Sequence, residues 1–98
     1  MRFGLTAEEY QFIQQRVVKP LEAIGAIVWC YGSRARGDNS PFSDLDLMVE
    51  SEKDTSREVA AISDFLEESQ FPYKVELVLL SNFSKQYRQG YEQDKQRF

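Results

Sequence analysis

Ala26-Ile27-Val28-Trp29-Cys30-Tyr31-Gly32-Ser33-Arg34-Ala35-Arg36-Gly37, followed at 43–47 by Ser43-Asp44-Leu45-Asp46-Leu47, is the stretch from which the rest of the chain is read. Residues 26–31 form a short, nearly continuous apolar run, the pattern of a strand buried on both faces. Residues 32–43 are rich in Gly, Ser, Asn, Pro and Arg and read as a loop, with room for one helical turn after Ser33. From Asp44 to Glu50 polar and apolar residues alternate at first, as in a second strand.

The flanks extend this core. Thr6 and Glu9 have the spacing of a capping box, and Tyr10, Ile13, Val17, Leu21 and Ile24 follow at helical intervals on one face. Pro20 falls inside that pattern and should kink the helix near Lys19, with Gly25 as its stop. Beyond the second strand, Thr55 and Glu58 suggest another capping box, and Val59, Ile62 and Leu66 mark the buried face of a second helix. Residues 70–73 turn the chain, and Lys74 to Leu80 reads as a third strand. Asn82 is placed to cap a last helix carrying Phe83, Tyr87 and Tyr91 on one stripe, which Gly90 either ends or weakens. The order predicts an α/β fold: a small mixed sheet flanked by helices, in one domain over residues 1–98. The helix-length connection makes the second and third strands parallel, whereas the long loop leaves the relative direction of the first two open.

Composition narrows the chemistry. The 98 residues are 42% hydrophobic and 29% charged, an ordinary globular balance. There is no histidine, which excludes a His-based triad and a His-ligated zinc site within the chain. The single cysteine, Cys30, argues against a disulfide framework; it is expected to be a small core residue and to fit a reducing cytoplasm. A net charge of −4 offers no long-range steering toward nucleic acid, so no direct nucleic-acid binding is expected. No apolar run approaches the roughly 20 residues of a membrane span, so no membrane partner is expected either.

Residues two apart on a strand share a face, so Asp44 and Asp46 should project side by side. Two adjacent carboxylates repel and need a cation or a shifted protonation state to coexist. Magnesium suits them, being a hard ion that takes one or two carboxylates plus phosphate oxygens. Glu76, two residues into the third strand, would enter at about the depth of Asp46 if those strands are parallel neighbours. Three such carboxylates can hold two metals. Gly32 lets backbone approach a phosphate closely, and the Ser33 hydroxyl can donate to it. Arg34 and Arg36 are candidates to neutralise phosphate charge, with at least one of the two serving only solubility. Trp29 and the Phe83, Tyr87 and Tyr91 stripe read as core packing.

Gly32-Ser33, ten intervening residues, then Asp44-x-Asp46 resembles the signature of the DNA polymerase β nucleotidyltransferase superfamily. The fuller strings Gly-Ser-Arg-Ala-Arg-Gly and Ser-Asp-Leu-Asp-Leu most resemble its minimal nucleotidyltransferase (MNT) branch, and the resemblance spans nearly the whole chain. It implies magnesium and a nucleoside triphosphate, with Gly32 and Ser33 on the phosphates and Asp44 and Asp46 on the metals. It also implies a third acidic residue that activates the acceptor hydroxyl. That residue is commonly Asp in the family, and the matching position here is Glu76.

MNT proteins are commonly paired with a HEPN-domain partner in toxin–antitoxin systems. The resemblance therefore implies an antitoxin that transfers AMP from ATP to a tyrosine hydroxyl of a HEPN-type toxin. Two alternatives stand beside it: a binding module that neutralises its partner by contact, and transfer to a small molecule such as an aminoglycoside. The small size of the chain favours an acceptor carried by another macromolecule, since it leaves little room for a deep acceptor pocket.

Overall fold

The computed structural model describes residues 2–98 and has a four-stranded sheet with helices around it. A 3-10 turn at Arg2–Gly4 leads into α1 (Ala7–Ile13). The Thr6–Glu9 capping box forms: the Glu9 N–H donates to Thr6 Oγ1 at 3.1 Å, and the Thr6 N–H donates to Glu9 Oε1 at 2.8 Å. The chain then widens into a π-helical turn, Gln14–Val18, before α2 (Lys19–Ala23). Pro20 explains the widening. It has no N–H to give the carbonyl of Arg16, and its ring would collide with that carbonyl in a regular helix. Instead the Lys19 N–H donates to the carbonyl of Gln14. The helix runs on through the kink and ends at Gly25 (φ +90°), where two reversed bonds form, Gly25 N–H to Glu22 and Ala26 N–H to Leu21.

The sheet comprises β1 (Ile27–Tyr31), β2 (Leu45–Glu50), β3 (Val75–Leu79) and a two-residue β4 (Gln96–Arg97), in the order β3-β2-β1-β4. As expected, β2 and β3 are parallel, joined through α4 (Ser56–Glu68). β1 runs antiparallel to β2, which settles the direction left open by the long loop. The C-terminal end of β1 therefore meets the N-terminal ends of β2 and β3 at one end of the sheet.

One face of the sheet carries Val28, Cys30, Leu45, Leu47 and Val49, which pack with Ile13, Val17, Val18, Leu21, Val59 and Leu66 from the helices into the main core. Trp29 and Tyr31 point the other way, toward the C-terminal segment. The ammonium of Lys95 lies 4.5 Å from the Trp29 ring centroid, and Tyr31 makes edge contacts with Phe83 and Tyr91. Trp29 is thus half-buried rather than core, and its Nε1–H donates to Glu50 at 2.9 Å.

Four further sequence expectations need correction. Thr55 and Glu58 form no capping box; Thr55 Oγ1 is buried without a partner, and Asp54 instead accepts from the Ser56 N–H at 2.9 Å. Asn82 does not cap the last helix, because it closes a separate 3-10 turn; α5 (Arg88–Asp94) begins after a second such turn, at Lys85–Tyr87. Of the aromatic stripe only Tyr91 is fully buried, while Tyr87 is 61% exposed. Ile24 sits at the end of the helical stripe and is 38% exposed.

Two tests follow from the core. Leu47 has no exposed surface in the central strand, so Leu47→Ala should cost about 2–5 kcal/mol in a urea titration. Burial, aided by Asp46, pushes the Cys30 thiol from its ordinary 9.0 up to about 12. The unfolded chain ionises this group first, so the stability it confers is full below pH 9.0 and is lost as pH rises toward 12. The melting temperature should therefore fall on the alkaline side, and Cys30→Ala should flatten that fall.

Candidate active site

The register of the sheet sets three residues in one row on one face: Tyr31 on β1, Asp46 on β2 and Glu76 on β3. Alternation along each strand then puts all three side chains opposite the main core. Immediately after Tyr31 the chain leaves the sheet through Gly32 (φ +76°, ψ −155°) and enters the single turn α3 (Ser33–Arg36). Gly32 is required here twice over. Its positive φ strains any L side chain, and a Cβ at that position would lie 2.7 Å from Asp46 Oδ2. The carboxylate of Asp46 thus rests against the backbone of the Gly-Ser turn. The N–H groups of Ser33, Arg34 and Ala35 have no carbonyl within the turn to bond; that of Arg36 is the first to find one, on Gly32 at 3.1 Å.

Asp44 lies one residue before β2 and is exposed. Its charge still reaches the row. The Asp46 carboxyl is held above the usual carboxylate range, first by burial, then by Glu76 and by Asp44, with Arg34 acting in the opposite direction. Burial also pushes the Tyr31 hydroxyl up to about 12, with Asp46 and Glu76 adding to the effect. Glu76 occupies the expected row but is exposed and paired with Lys74, Nζ to Oε1 at 3.2 Å.

The donor set suits a divalent cation: hard carboxylate oxygens whose mutual repulsion at Asp46 is only partly offset by the Arg34 charge. Asp44 and Asp46 could hold magnesium as a two-carboxylate site completed by phosphate oxygens and water. No group of three or more acidic or cysteine side chains converges to metal-binding distance among the described residues.

The two arginines are placed differently from the expectation for phosphate ligands. Arg34 is 2% exposed and donates only to backbone carbonyls, those of Phe3, Gly4 and Ser43. Arg36 faces solvent but is held between Asp38 (3.0 Å) and Asp94 (2.9 Å). Sequence reasoning passed over Tyr31 and Lys74, which flank the carboxylate row. Their signal was positional: Tyr31 immediately precedes the Gly-Ser pair, and Lys74 has strand spacing from Glu76. A hollow of about 430 Å³ lined by Ile24, Gly25, Ile27 and residues 50–53 lies at the opposite end of the sheet, away from this chemistry.

A sheet end that brings a Gly-Ser turn against paired acidic residues is the construction of a nucleotidyl-transfer domain. The chain belongs to the nucleotidyltransferase domain family, which it matches over residues 12–97. Such domains generally use a nucleoside triphosphate and a divalent metal. Among solved structures the chain is similar to a protein from Sulfolobus solfataricus, provisionally described as a nucleotidyltransferase. Identity is 19%, the match covers 93% of this chain and 83% of that one, and the TM-score is 0.46. No curated protein matches the chain. Among the described residues no helix is long and apolar enough to cross a membrane.

Gly32→Ala tests the close approach directly. The variant should stay folded, lose at least about 1 kcal/mol of stability to the positive φ, and bind MgATP markedly more weakly than the parent in calorimetry. Unchanged affinity would separate the turn from nucleotide binding.

Proposed function

We propose that this nucleotidyltransferase moves AMP from ATP, with magnesium, to a tyrosine hydroxyl of a HEPN-type partner and thereby acts as its antitoxin. The observation that carries the site assignment is the contact of the Asp46 carboxylate with Gly32, under the joint charge of Asp44 and Glu76. In this reading Gly32 and Ser33 bind the triphosphate, and Asp44 and Asp46 hold magnesium. Bound there, the metal would neutralise charge on the phosphate oxygens. Once released by Lys74, Glu76 takes the acceptor proton directly or through one water; the acceptor oxygen bonds to the α-phosphorus of ATP, whose bond to the bridging oxygen breaks, and pyrophosphate leaves. The MNT resemblance and the small size of the domain support a macromolecular acceptor over a small molecule.

The Glu76–Lys74 ion pair favours a second reading, in which transfer is weak and the chain silences its partner by binding. Incubation with MgATP and the purified partner, followed by mass spectrometry, distinguishes the two. AMP adducts on the partner support transfer; a stable complex that silences the partner without any adduct supports binding alone. Within the first reading, Asp46→Asn should reduce transfer by at least about a hundredfold with the fold intact. Glu76→Gln should lose most transfer yet keep MgATP affinity, and Glu76→Asp should retain part of it. Transfer by Glu76→Gln at the parent's rate would make Glu76 a surface residue only.

A further inference from the structure

Arg34 is a buried charge without a carboxylate partner. No acidic oxygen lies within ion-pair distance of it among the described residues, and its guanidinium is instead bonded to three backbone carbonyls. Nε and Nη2 both donate to the carbonyl of Ser43, at 3.0 and 2.8 Å. Nη1 donates to the carbonyls of Phe3 and Gly4, at 2.9 and 3.3 Å. The guanidinium carbon stands 4.2 Å from the centroid of the Tyr73 ring.

The surroundings are shaped to this arginine. Phe3 has φ +58°, a left-handed conformation costly for a bulky residue, and Gly4 follows at φ +70°; together they turn two successive carbonyls toward one nitrogen. A Cβ on Gly4 would fall 2.9 Å from Nη1. Burying a cation costs several kcal/mol unless its donors are satisfied, and here the carbonyls satisfy them.

Phe3 and Gly4 anchor Arg34 to the N-terminal turn, whereas Ser43 and Tyr73 lie close in sequence to residues of the candidate site. Arg34 itself follows Ser33, Ser43 precedes Asp44, and Tyr73 lies three residues before Glu76. We propose that Arg34 is a positioning residue: its guanidinium fixes the Gly32-Ser33 turn and the Asp44–Asp46 segment at the spacing needed to take one metal-bound triphosphate, without touching the nucleotide. The inference rests on the proposed metal and triphosphate site.

The test uses the whole chain with ATP and magnesium as probes. Arg34→Met keeps the stem and removes every donor; Arg34→Lys keeps the charge but cannot reach both sides of the junction at once. Two quantities are read: ATP affinity with and without magnesium, and hydrogen exchange at the Leu45 amide, which donates to the carbonyl of Lys74 at 2.8 Å. Both variants should speed exchange at Leu45 and lower MgATP affinity by about tenfold or more, the size expected from losing hydrogen bonds to a charged group. Affinity for ATP without magnesium should change much less. If Arg34→Met fails to fold, Arg34→Lys and Tyr73→Leu decide by the same readings. A fall in melting temperature with unchanged MgATP affinity would make Arg34 a brace of the fold and overturn the inference. An equal loss of affinity with and without magnesium, with exchange unchanged, would make it a direct phosphate ligand and overturn it as well. A parent that binds ATP equally with and without magnesium defeats the proposed function instead, and exchange at Leu45 then decides the role of Arg34 alone.

Discussion

The site depends on one contact, the Asp46 carboxylate lying against the bare Cα of Gly32. It joins the exit of β1 to the entry of β2 across an antiparallel pair and forces the chain to leave the sheet at that residue. Once that crossing is set, the parallel register of β3 brings Glu76 into the same row, and the connection back to β2 leaves Asp44 just outside it. A side chain at position 32 would move the Asp46 carboxylate and, with it, the geometry of the whole end of the sheet.

Charge follows from the same arrangement. Three acidic residues act on one small region of a chain that is already net negative. Of the nearby cations, Arg34 is bonded to carbonyls and Arg36 is held by Asp38 and Asp94, which leaves Lys74, paired with Glu76, as the one ion-pair partner within the region. A polyphosphate arriving alone would meet repulsion; one arriving with a divalent cation would relieve it. The protein contributes donors and geometry, and the balance of charge is left to the ion that accompanies the substrate.

Much of this was legible in the sequence, for identifiable reasons. The first helix shows in the period of Ile13, Val17 and Leu21, and its start in the reciprocal Thr6 and Glu9 pair. The row of Asp46 and Glu76 followed from a helix-length connection, which obliges its strands to run parallel. Other features had no local signal. Arginine in a Gly- and Ser-rich segment reads as surface; Arg34 is buried because carbonyls from residues 3, 4 and 43 converge on it, a condition set by tertiary structure. The two residues of β4 are a strand only because β1 offers them a free edge. Asn82 and Thr55 have the chemistry of helix caps, yet Asn82 closes a separate 3-10 turn, and Thr55 stands at the start of α4 with its Oγ1 buried and unbonded.

The segment between α3 and β2 is tied at both of its roots, by Gly32 against Asp46 and by Arg34 on the Ser43 carbonyl. Its crest carries Phe42, 84% exposed, above a turn closed by Ser40 and Ser43. Such a segment behaves as a replaceable tip on a fixed mount. Residues at the crest can be exchanged, lengthened or shortened with little effect on the carboxylates below, so the surface there can diversify while the row beneath it is kept.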